Sequence, residues 1–425
     1  MASTILEVGN TARGTAGGGV RPDPDYVLQT LLKLVDIPSP TGNEEACGEF
    51  MAAEFGRLGM RADLQRFAPS RANAVGTLVG TGTGRDLLLT GHMDTSYSGS
   101  EPGLGAAGFQ PHGIVEDGHV IGLGASNMKC GLAAALGAAQ ALATSGIRLG
   151  GDLIVAGVAG EIETSPVDEY QGQRYEGYGT GTRYMVAKGV TADAAIVGEA
   201  TGFRVSMGHL GSIWLKITVH GDLLHTALSV RDDIVYAVYE AQELISRLRQ
   251  WIPDYQRRTE YMGTKCGVAI GAIRSGNPYR AARTPQSCVL YVDVRYPPTM
   301  VAMDVKREIR DLLNDLATSR PSFRYDLESY VVAAPSLISE QEAIVQATQN
   351  AASAVLGKPT GTMFRAPMDD STHLQDAGIP TINFGVPGPD TSPAGRVAGE
   401  RVRIEDVVRL SQIYANLAME FCGTA

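Results

Sequence analysis

The sequence predicts an α/β protein in which a domain built on a largely parallel sheet is interrupted by a smaller, inserted α+β domain. Short apolar runs typical of buried strands alternate with helical patterns up to about residue 203, and again after about residue 334. Between these parts, polar and apolar residues alternate, as in strands with one solvated face. The length of 425 residues also exceeds what one hydrophobic core normally supports.

The domain boundaries follow from these changes of pattern. Residues 1–25 are rich in Gly, Thr and Pro, and we expect them to form a flexible arm. The larger domain is predicted to combine residues 26–203 with residues 334–425. The inserted domain is then predicted to cover residues 204–333.

The elements of the larger domain are read from apolar spacing. Helical spacing predicts helices over residues 26–35, 44–58 and 128–143, with Pro38 and Gly59 ending the first two. Unbroken apolar centres predict strands at 86–90, 152–159 and 194–197, each buried on both faces. After the insertion, the same reasoning predicts helices at 340–356 and 404–421 and a strand at 381–384.

The inserted part has a regular order of its own. Strands are predicted at 212–219, 266–273, 288–294 and 323–332, and helices at 232–251 and 303–316. Two halves of this kind predict a four-stranded antiparallel sheet with two helices on one face.

Composition excludes several classes of protein. The net charge of −10 offers no basic field for phosphates, so a nucleic-acid partner is not expected. The five cysteines are odd in number and lack CxxC spacing, which disfavours both a disulfide framework and a cysteine-rich zinc site. Neither a signal peptide nor an apolar run of about 18 residues is found, so we expect a soluble cytoplasmic protein without a membrane partner.

Polar side chains follow three of the predicted buried strands. His92 and Asp94 end the first, Glu161 and Glu163 follow the second, and Glu199 follows the third. Each one alone is more often structural than functional: a His and an Asp at a strand end, a solvated loop, or a single acid. Because carboxyl ends of parallel strands meet at one edge, three such ends favour a converging metal site over coincidence.

With these residues in place, the sequence resembles the M20 metallopeptidases, a family that includes acetylornithine deacetylase and succinyl-diaminopimelate desuccinylase. The resemblance runs from about residue 26 to the end and is carried by segments 34–42 (LVDIPSPTG), 91–94 (GHMD), 124–129 (GASNMK), 160–161 (GE), 198–199 (GE), 208–212 (GHLGS), 292–295 (VDVR), 378–380 (GIP) and 384–388 (FGVPG). It implies a zinc-aminopeptidase-like domain with a mixed sheet, and an inserted ferredoxin-like lid that commonly dimerises.

The resemblance also implies site residues. The family usually holds two metals. His92 and Glu199 match the ligands of one metal, Asp94 matches the residue that orients the histidine, and Glu161 matches the general base.

The ligands of the second metal are altered. Asn127 stands at the bridging Asp position, Ile162 at the second Glu position, and Arg396 where a His is expected. We therefore expect one divalent ion per chain, held by His92, Glu199 and Asn127. A permanent cation, Arg396, is expected in the other half of the site, either binding substrate or pairing with Glu163. The ligand set suits several ions, including Zn, Mn, Co and Ni.

Further candidates lie on the lid and in a tyrosine-rich stretch. The resemblance implies that His225 reaches the active site of a partner subunit and stabilises an oxyanion there. Arg280 and Arg283 suit a substrate carboxylate, although a solvated surface explains them equally well. Tyr184, one of four tyrosines between residues 170 and 184, suits an aromatic substrate, or else an oligomer surface. His373 is a reserve ligand, and Glu163 another if the turn brings it inward.

We expect these residues to hydrolyse a C–N bond of a small carboxylate-bearing substrate with metal-activated water, in a homodimer or higher homo-oligomer. The sharper expectation is aromatic compound degradation, by hydrolytic deamination of an aromatic amino acid such as 5-nitroanthranilate to the hydroxy acid. An N-acyl amino acid deacylase is the alternative. A rival from another class is a metal-depleted pseudoenzyme that binds a ligand or partner, which the altered ligands favour and the surviving ones oppose.

Overall fold

The computed structural model describes residues 20–388 and 392–425. Of the predicted arm, residues 1–19 lie outside the described part of the chain, and Pro24 and Asp25 already belong to the first helix. The described residues form sixteen strands: β1 Arg61–Ala68, β2 Arg71–Leu78, β3 Leu87–His92, β4 Ile114–Glu116, β5 His119–Ile121, β6 Leu153–Val158, β7 Ala194–Val197, β8 Val205–His209, β9 Gly211–His220, β10 Val268–Ser275, β11 Ser287–Tyr296, β12 Arg324–Ala333, β13 Ser336–Leu337, β14 Thr362–Arg365, β15 Thr381–Asn383 and β16 Arg401–Arg403.

Ten α-helices accompany these strands in the described residues: α1 Pro24–Asp36, α2 Glu45–Arg57, α3 Cys130–Ser145, α4 Thr180–Ala187, α5 Ala237–Arg258, α6 Ala302–Ser319, α7 Ala343–Leu356, α8 Ser371–Asp376, α9 Pro393–Ala398 and α10 Ile404–Cys422. Among them, no helix is long and apolar enough to cross a membrane. All five cysteines fall in the described residues, and each is buried and unpaired.

The larger sheet has nine strands in the order β1-β2-β6-β3-β7-β15-β8-β13, with β14 also pairing with β8. The pairs β6–β3, β3–β7 and β7–β15 in the centre are parallel, whereas β1, β2 and β13 are attached by antiparallel pairs. The sheet is therefore parallel in its centre, as the strand patterns predict, and β14–β8 adds another parallel pair. With its antiparallel pairs the sheet as a whole is mixed, as the resemblance implies.

Helices cover both faces of this sheet. Leu87 and Leu89 of β3 point into a core shared with α1, α2, α3, α7 and α10, while Leu88 points into a second core with α4 and α8. The Ala-rich helix α3 lies in the middle of the first core and is buried almost all round. Its first turn comes so close to the sheet that a Cβ on Gly131 would lie 2.5 Å from the carbonyl oxygen of Gly198, so small residues are required at this contact.

The second sheet is antiparallel, in the order β10-β11-β9-β12, and α5 and α6 pack on one of its faces. Alternation along β9 places Ile213, Leu215 and Ile217 in the core under these helices. Trp214 and Lys216 therefore point to the opposite face. The strands and helices of this unit, which we call the lid, lie between residues 211 and 333, within the range predicted for the inserted domain.

Candidate active site

Three charged side chains meet at the carboxyl edge of the larger sheet. His92 is the last residue of β3, Glu161 follows β6, and Glu199 follows β7, and these three strands are neighbours. The Nε2 atom of His92 lies 3.6 Å from Glu161 Oε2 and 3.4 Å from Glu199 Oε1. All three side chains are buried, so the strand ends do bring them to one place.

The orientation of the His92 ring is fixed through its Nδ1 atom. Its Nδ1 lies 2.8 Å from the backbone carbonyl oxygen of Asp94, which only accepts, so Nδ1 carries the proton. The Nε2 atom is buried and has no hydrogen-bond partner, although it faces two carboxylates. Two carboxylate oxygens facing this nitrogen call for a positive charge between them, either a proton on Nε2 or a metal ion in its place. His92, Glu161 and Glu199 form the group of possible metal ligands found among the described residues, and this donor set fits a divalent metal.

The role expected for the Asp94 carboxylate is corrected by the hydrogen bonds. Its Oδ1 accepts from the backbone N–H of Glu161 and its Oδ2 from that of Ile162, both at 3.1 Å, and Oδ2 also accepts from Thr41 at 2.8 Å. The carboxylate stands 3.6 Å from His92 Nδ1, while the Asp94 carbonyl oxygen takes that proton. The backbone of Asp94 therefore orients His92, and its side chain positions the turn that carries Glu161.

Burial and neighbouring charges shift the pKa values of His92, Glu161 and Glu199 in different directions. Burial alone would lower the pKa of His92, but Glu161, Glu199 and Asp94 together raise it well above its usual value. Burial raises the pKa of Glu161 well above the ordinary value for a glutamate, with Glu199 adding to the effect and His92 opposing it. Burial also acts to raise the pKa of Glu199, but Arg365 and His92 outweigh it and hold that pKa at about 2. Glu161 is thus the carboxylate that binds a proton readily, and Glu199 the one that stays ionised.

Arg365 is a site residue that the sequence did not predict. It ends β14, and its side chain is 9% exposed. One guanidinium nitrogen lies 3.0 Å from Glu199 Oε2 and another 3.3 Å from Asp369 Oδ2. Asp369 in turn accepts from Asn383 and from the backbone N–H of Ser371.

The expectation for Arg396 is corrected accordingly. Arg396 lies on the short helix α9, where it is exposed, and it does not line the cleft formed by the described residues. The guanidinium beside the candidate metal site belongs to Arg365 instead. Strand β14, which carries Arg365, is short and has only Met363 and Phe364 as apolar residues, so the sequence did not predict it as a strand. Its position after the helix 340–356 and before the strand 381–384 was the available signal.

Glu161 and Glu199 open into a cleft of about 960 Å³. Glu161, Glu199, Arg365 and Asn127 line it, together with Tyr97, Phe364, Met368 and Lys265. Asn127 is held by its backbone, since its N–H donates to Glu400 Oε2 at 2.9 Å. Glu400 also accepts from the N–H groups of Gly124 and Ser126, both at 3.1 Å. Asn127 therefore faces the cleft, and its part in binding metal stays a prediction.

Two reserve ligands lie away from the metal group. Glu163 forms a two-pronged ion pair with Arg295 of the lid, at 2.6 and 2.7 Å, so neither metal nor Arg396 is its partner. His373 directs Nε2 to the carbonyl oxygen of Tyr178 at 3.0 Å. Since a carbonyl only accepts, that nitrogen carries a proton and is not a free ligand.

The remaining predicted residues lie outside the cleft. Tyr184 packs on Phe67 with ring centroids 5.1 Å apart, and does not line the cleft in the described structure. Arg280 and Arg283 line a separate groove of about 510 Å³ on the lid. His225 pairs with Arg283 through the backbone and is exposed, with Nδ1 accepting from Ala227 N–H at 3.1 Å. The structure of one chain thus separates these lid residues from His92.

The chain resembles known proteins over almost its whole length. The model of peptidase family M20/M25/M40 matches residues 88–420. An N-formyl-4-amino-5-aminomethyl-2-methylpyrimidine deformylase of Halalkalibacterium halodurans is 26% identical over 422 residues, covering 93% of each chain. A succinyl-diaminopimelate desuccinylase of Marinobacter nauticus is 23% identical over 401 residues, covering 92% of this chain and 98% of that protein.

Solved structures show the same fold. A tripeptidase from Staphylococcus aureus superposes with a TM-score of 0.73 at 21% identity, covering 94% of this chain and 99% of the other. Human carnosine dipeptidase 1 gives a TM-score of 0.73 at 14% identity, covering 94% and 96% of the two chains. The mixed α/β architecture is therefore that of these peptidases.

Proposed function

The chain belongs to peptidase family M20/M25/M40, whose members are metal-dependent hydrolases of amide C–N bonds, and on this premise we propose that it hydrolyses a C–N bond in a small carboxylate-bearing substrate. The observation that carries the proposal is the buried group of His92, Glu161 and Glu199, in which Nε2 of His92 faces two carboxylates without a hydrogen-bond partner. This arrangement costs free energy unless a cation binds there.

His92 and Glu199 are the proposed metal ligands, with Asn127 at the cleft wall as a third candidate. A bound divalent metal such as Zn or Mn supplies a charge that lowers the pKa of water and polarises the electrophile. One ion per chain is proposed, because Arg365 already places a permanent positive charge against Oε2 of Glu199, while His92 faces Oε1.

Glu161 is the proposed general base. Its raised pKa makes it a better proton acceptor than an ordinary glutamate, and two backbone hydrogen bonds to Asp94 hold its turn in place. As water attacks the carbon, Glu161 takes one proton from it. When the C–N bond breaks, Glu161 returns that proton to the departing nitrogen. The nitrogen leaves as an amine or ammonia, and the carbon keeps the oxygen of the attacking water.

The sharper form of the proposal is hydrolytic deamination of an aromatic amino acid such as 5-nitroanthranilate, in which a ring C–N bond is replaced by C–O and ammonia leaves. Tyr97 and Phe364 in the cleft wall support a flat ring, and Arg365 and Lys265 support a carboxylate. The relatives named for a pyrimidine substrate are consistent with a ring.

A second candidate is an N-acyl amino acid deacylase. The relatives named desuccinylase and deformylase favour it, since both names describe removal of an acyl group from nitrogen. In both versions, His225, Arg280 and Arg283 are proposed to act on substrate in the cleft of a partner subunit, within a homodimer or larger homo-oligomer. Their exposure on the lid leaves them accessible for this contact.

The test is a substrate screen with matched variants. Protein loaded with Zn²⁺, Mn²⁺, Co²⁺ or Ni²⁺ is given N-acyl amino acids on one side and aminobenzoates, including 5-nitroanthranilate, on the other. Release of ammonia from the aminobenzoates supports the deaminase, and release of free amino acids supports the deacylase. Glu161→Gln should lower turnover about 10²–10⁴-fold, whereas Glu169→Gln, on an exposed part of the same loop, should not. Binding of metal or substrate without turnover would support the pseudoenzyme instead.

A further inference from the structure

The segment 162–178, which we call the strap, directly follows Glu161 and lies across the lid sheet. The strap packs on the face of that sheet opposite α5 and α6. The strap contacts residues from all four lid strands, and these contacts are Glu163 to Arg295 and Asp168 to Tyr291 on β11, Asp168 to Lys216 on β9, Glu169 to Arg274 on β10, and Ser165 to Tyr330 on β12. The base-bearing turn of one sheet is thus attached to the other sheet.

The two ends of the strap close around Glu161. The carbonyl oxygen of Gly160 accepts from the N–H of Gly179 at 2.9 Å, and that of Ile162 accepts from the N–H of Tyr178 at 3.3 Å. Glu161 therefore sits between two residues whose carbonyl groups are held by Tyr178, the last residue of the strap, and by Gly179, which follows it. Any shift of the strap moves the backbone on both sides of the general base.

The far end of the strap is strained and is held by the lid. Tyr178 has a φ of 52°, which is rare for a bulky side chain and persists only where the surroundings enforce it. Its ring meets Trp214 of β9 edge to face, with centroids 5.3 Å apart, and Trp214 contacts Tyr330 in the same way at 5.6 Å. The lid thus supplies the packing that keeps this conformation in place.

The contact nearest to Glu161 is also the best formed. Both carboxylate oxygens of Glu163 accept from Arg295, at 2.6 and 2.7 Å, and the Arg295 side chain is 15% exposed. Asp293 braces the same guanidinium from the other side at 2.8 Å, and the Arg295 carbonyl oxygen accepts from the buried Tyr255 at 2.7 Å. A two-pronged arginine–carboxylate pair fixes direction as well as distance.

We propose that Arg295 is a positioning residue for the general base, acting through Glu163, so that Glu161 is correctly placed only while the strap is docked on the lid. This inference rests on the proposed function, because it takes Glu161 as the base. Arg295 does not need to touch the substrate. Its effect is on turnover rather than on binding, since a small misplacement of a catalytic group costs up to about 10²-fold in rate.

The experiment compares Arg295→Met and Arg295→Lys with Arg274→Met, which breaks the exposed ion pair to Glu169 farther along the strap. Metal-loaded enzyme is assayed with the best substrate of the screen. Arg295→Met should lose about 10–100-fold in kcat with KM within about threefold. Arg295→Lys should lose less kcat than Arg295→Met, because lysine keeps the positive charge but cannot form the two-pronged hydrogen bond to Glu163. Arg274→Met should stay within twofold.

A double variant and hydrogen exchange separate positioning from a merely structural role. If Glu163 and Arg295 act as one unit, Glu163→Gln combined with Arg295→Met should lose no more kcat than the worse single variant. In metal-free Arg295→Met, amide hydrogen exchange should be faster than in the unmodified protein for peptides covering 161–178. Exchange in α3 should be the same in both proteins. That second measurement needs no substrate.

The outcomes that overturn the inference are distinct from those that overturn the proposed function. If Glu161→Gln keeps full activity, the base is wrongly assigned whatever Arg295 does. If Glu161→Gln is inactive while Arg295→Met keeps its kcat within twofold, only the positioning role is wrong. Equal losses in Arg295→Met and Arg274→Met, or multiplied losses in the double variant, would also refute it.

Discussion

Replacing Arg365 by Met is expected to lower the free energy of unfolding of the metal-free protein. It is also expected to increase the stabilisation that a bound metal provides. The guanidinium lies between Glu199 and Asp369, and Met keeps an apolar stem of similar length without the charge. Without it, both carboxylates stay buried, and Glu199 keeps only His92 as a nearby positive group. A buried charge that loses its partner is strongly destabilising.

The size of the effect follows from the pKa of Glu199, which Arg365 and His92 lower from 4.5 to about 2 against the effect of burial. A carboxylate with a lowered pKa adds stability that is complete above its unfolded pKa and is lost as pH falls through the folded one. The difference of about 2.5 pH units corresponds to about 3 kcal/mol at 1.36 kcal/mol per unit. We therefore expect Arg365→Met to lose about 3–5 kcal/mol at pH 7. Its unfolding free energy should also depend less on pH between 4.5 and 2.

A divalent metal changes this comparison. Arg365 and a metal at Glu199 neutralise the same carboxylate, so metal should stabilise the variant more than the unmodified protein. Urea unfolding is followed by circular dichroism, with chelator and then with Mn²⁺. Circular dichroism is needed because both tryptophans, Trp214 and Trp251, lie in the lid and report on it alone.

The control is Arg258→Met, which breaks the partly exposed pair with Glu308 inside the lid and should cost less than about 1 kcal/mol. The reasoning fails if Arg365→Met, in chelator, unfolds within about 1 kcal/mol of the unmodified protein. It also fails if Mn²⁺ stabilises both proteins equally.

Three further predictions concern metal content, pH and assembly. Elemental analysis of metal-loaded protein should return one tightly held ion per chain, and two would contradict the single-metal site. Burial raises the pKa of Asp370 from 3.8 to about 7, so unfolding free energy should fall as pH rises between these values, by up to about 1.4 kcal/mol per unit. Asp370→Asn should flatten that slope in chelator, and an unchanged slope would show that Asp370 is not the group responsible. His225→Ala should be folded and nearly inactive, and mixing it with Glu161→Ala should restore activity through mixed dimers. A mixture that stays inactive after mass spectrometry confirms subunit exchange would refute a shared site.

Apolar patterning predicted the centre of the fold well. Strands β3, β6 and β7 are buried on both faces, so their unbroken apolar runs stand out in the sequence. Strand β1 is exposed along much of its length, and β2 contains only small or polar residues apart from Val75 and Leu78. Their pairing depends on the rest of the sheet rather than on their own pattern, and so they were missed.

The site divides in the same way. His92, Glu161 and Glu199 were predictable because each follows a strand that the sequence shows clearly. Arg365 was not predictable, because its strand β14 has only four residues and only two of them are apolar. Such a short segment has no apolar periodicity from which a strand could be predicted. Arg396 was predicted because it stands where the family has a metal-binding His, and that match did not reveal that α9 would leave it exposed.

The interrupted course of the chain also has a consequence for how the protein is made. The lid strands and helices form one continuous stretch, from Gly211 to Ala333, and need no later residues to pair. The larger core includes α10, which packs on α3, and the backbone of Cys422 accepts from the N–H of Gly151. During synthesis the lid can fold first, while the Ala-rich α3 remains uncovered until α10 has left the ribosome. Loss of α10 should therefore leave a folded lid attached to a larger domain with an exposed apolar core that is prone to aggregate.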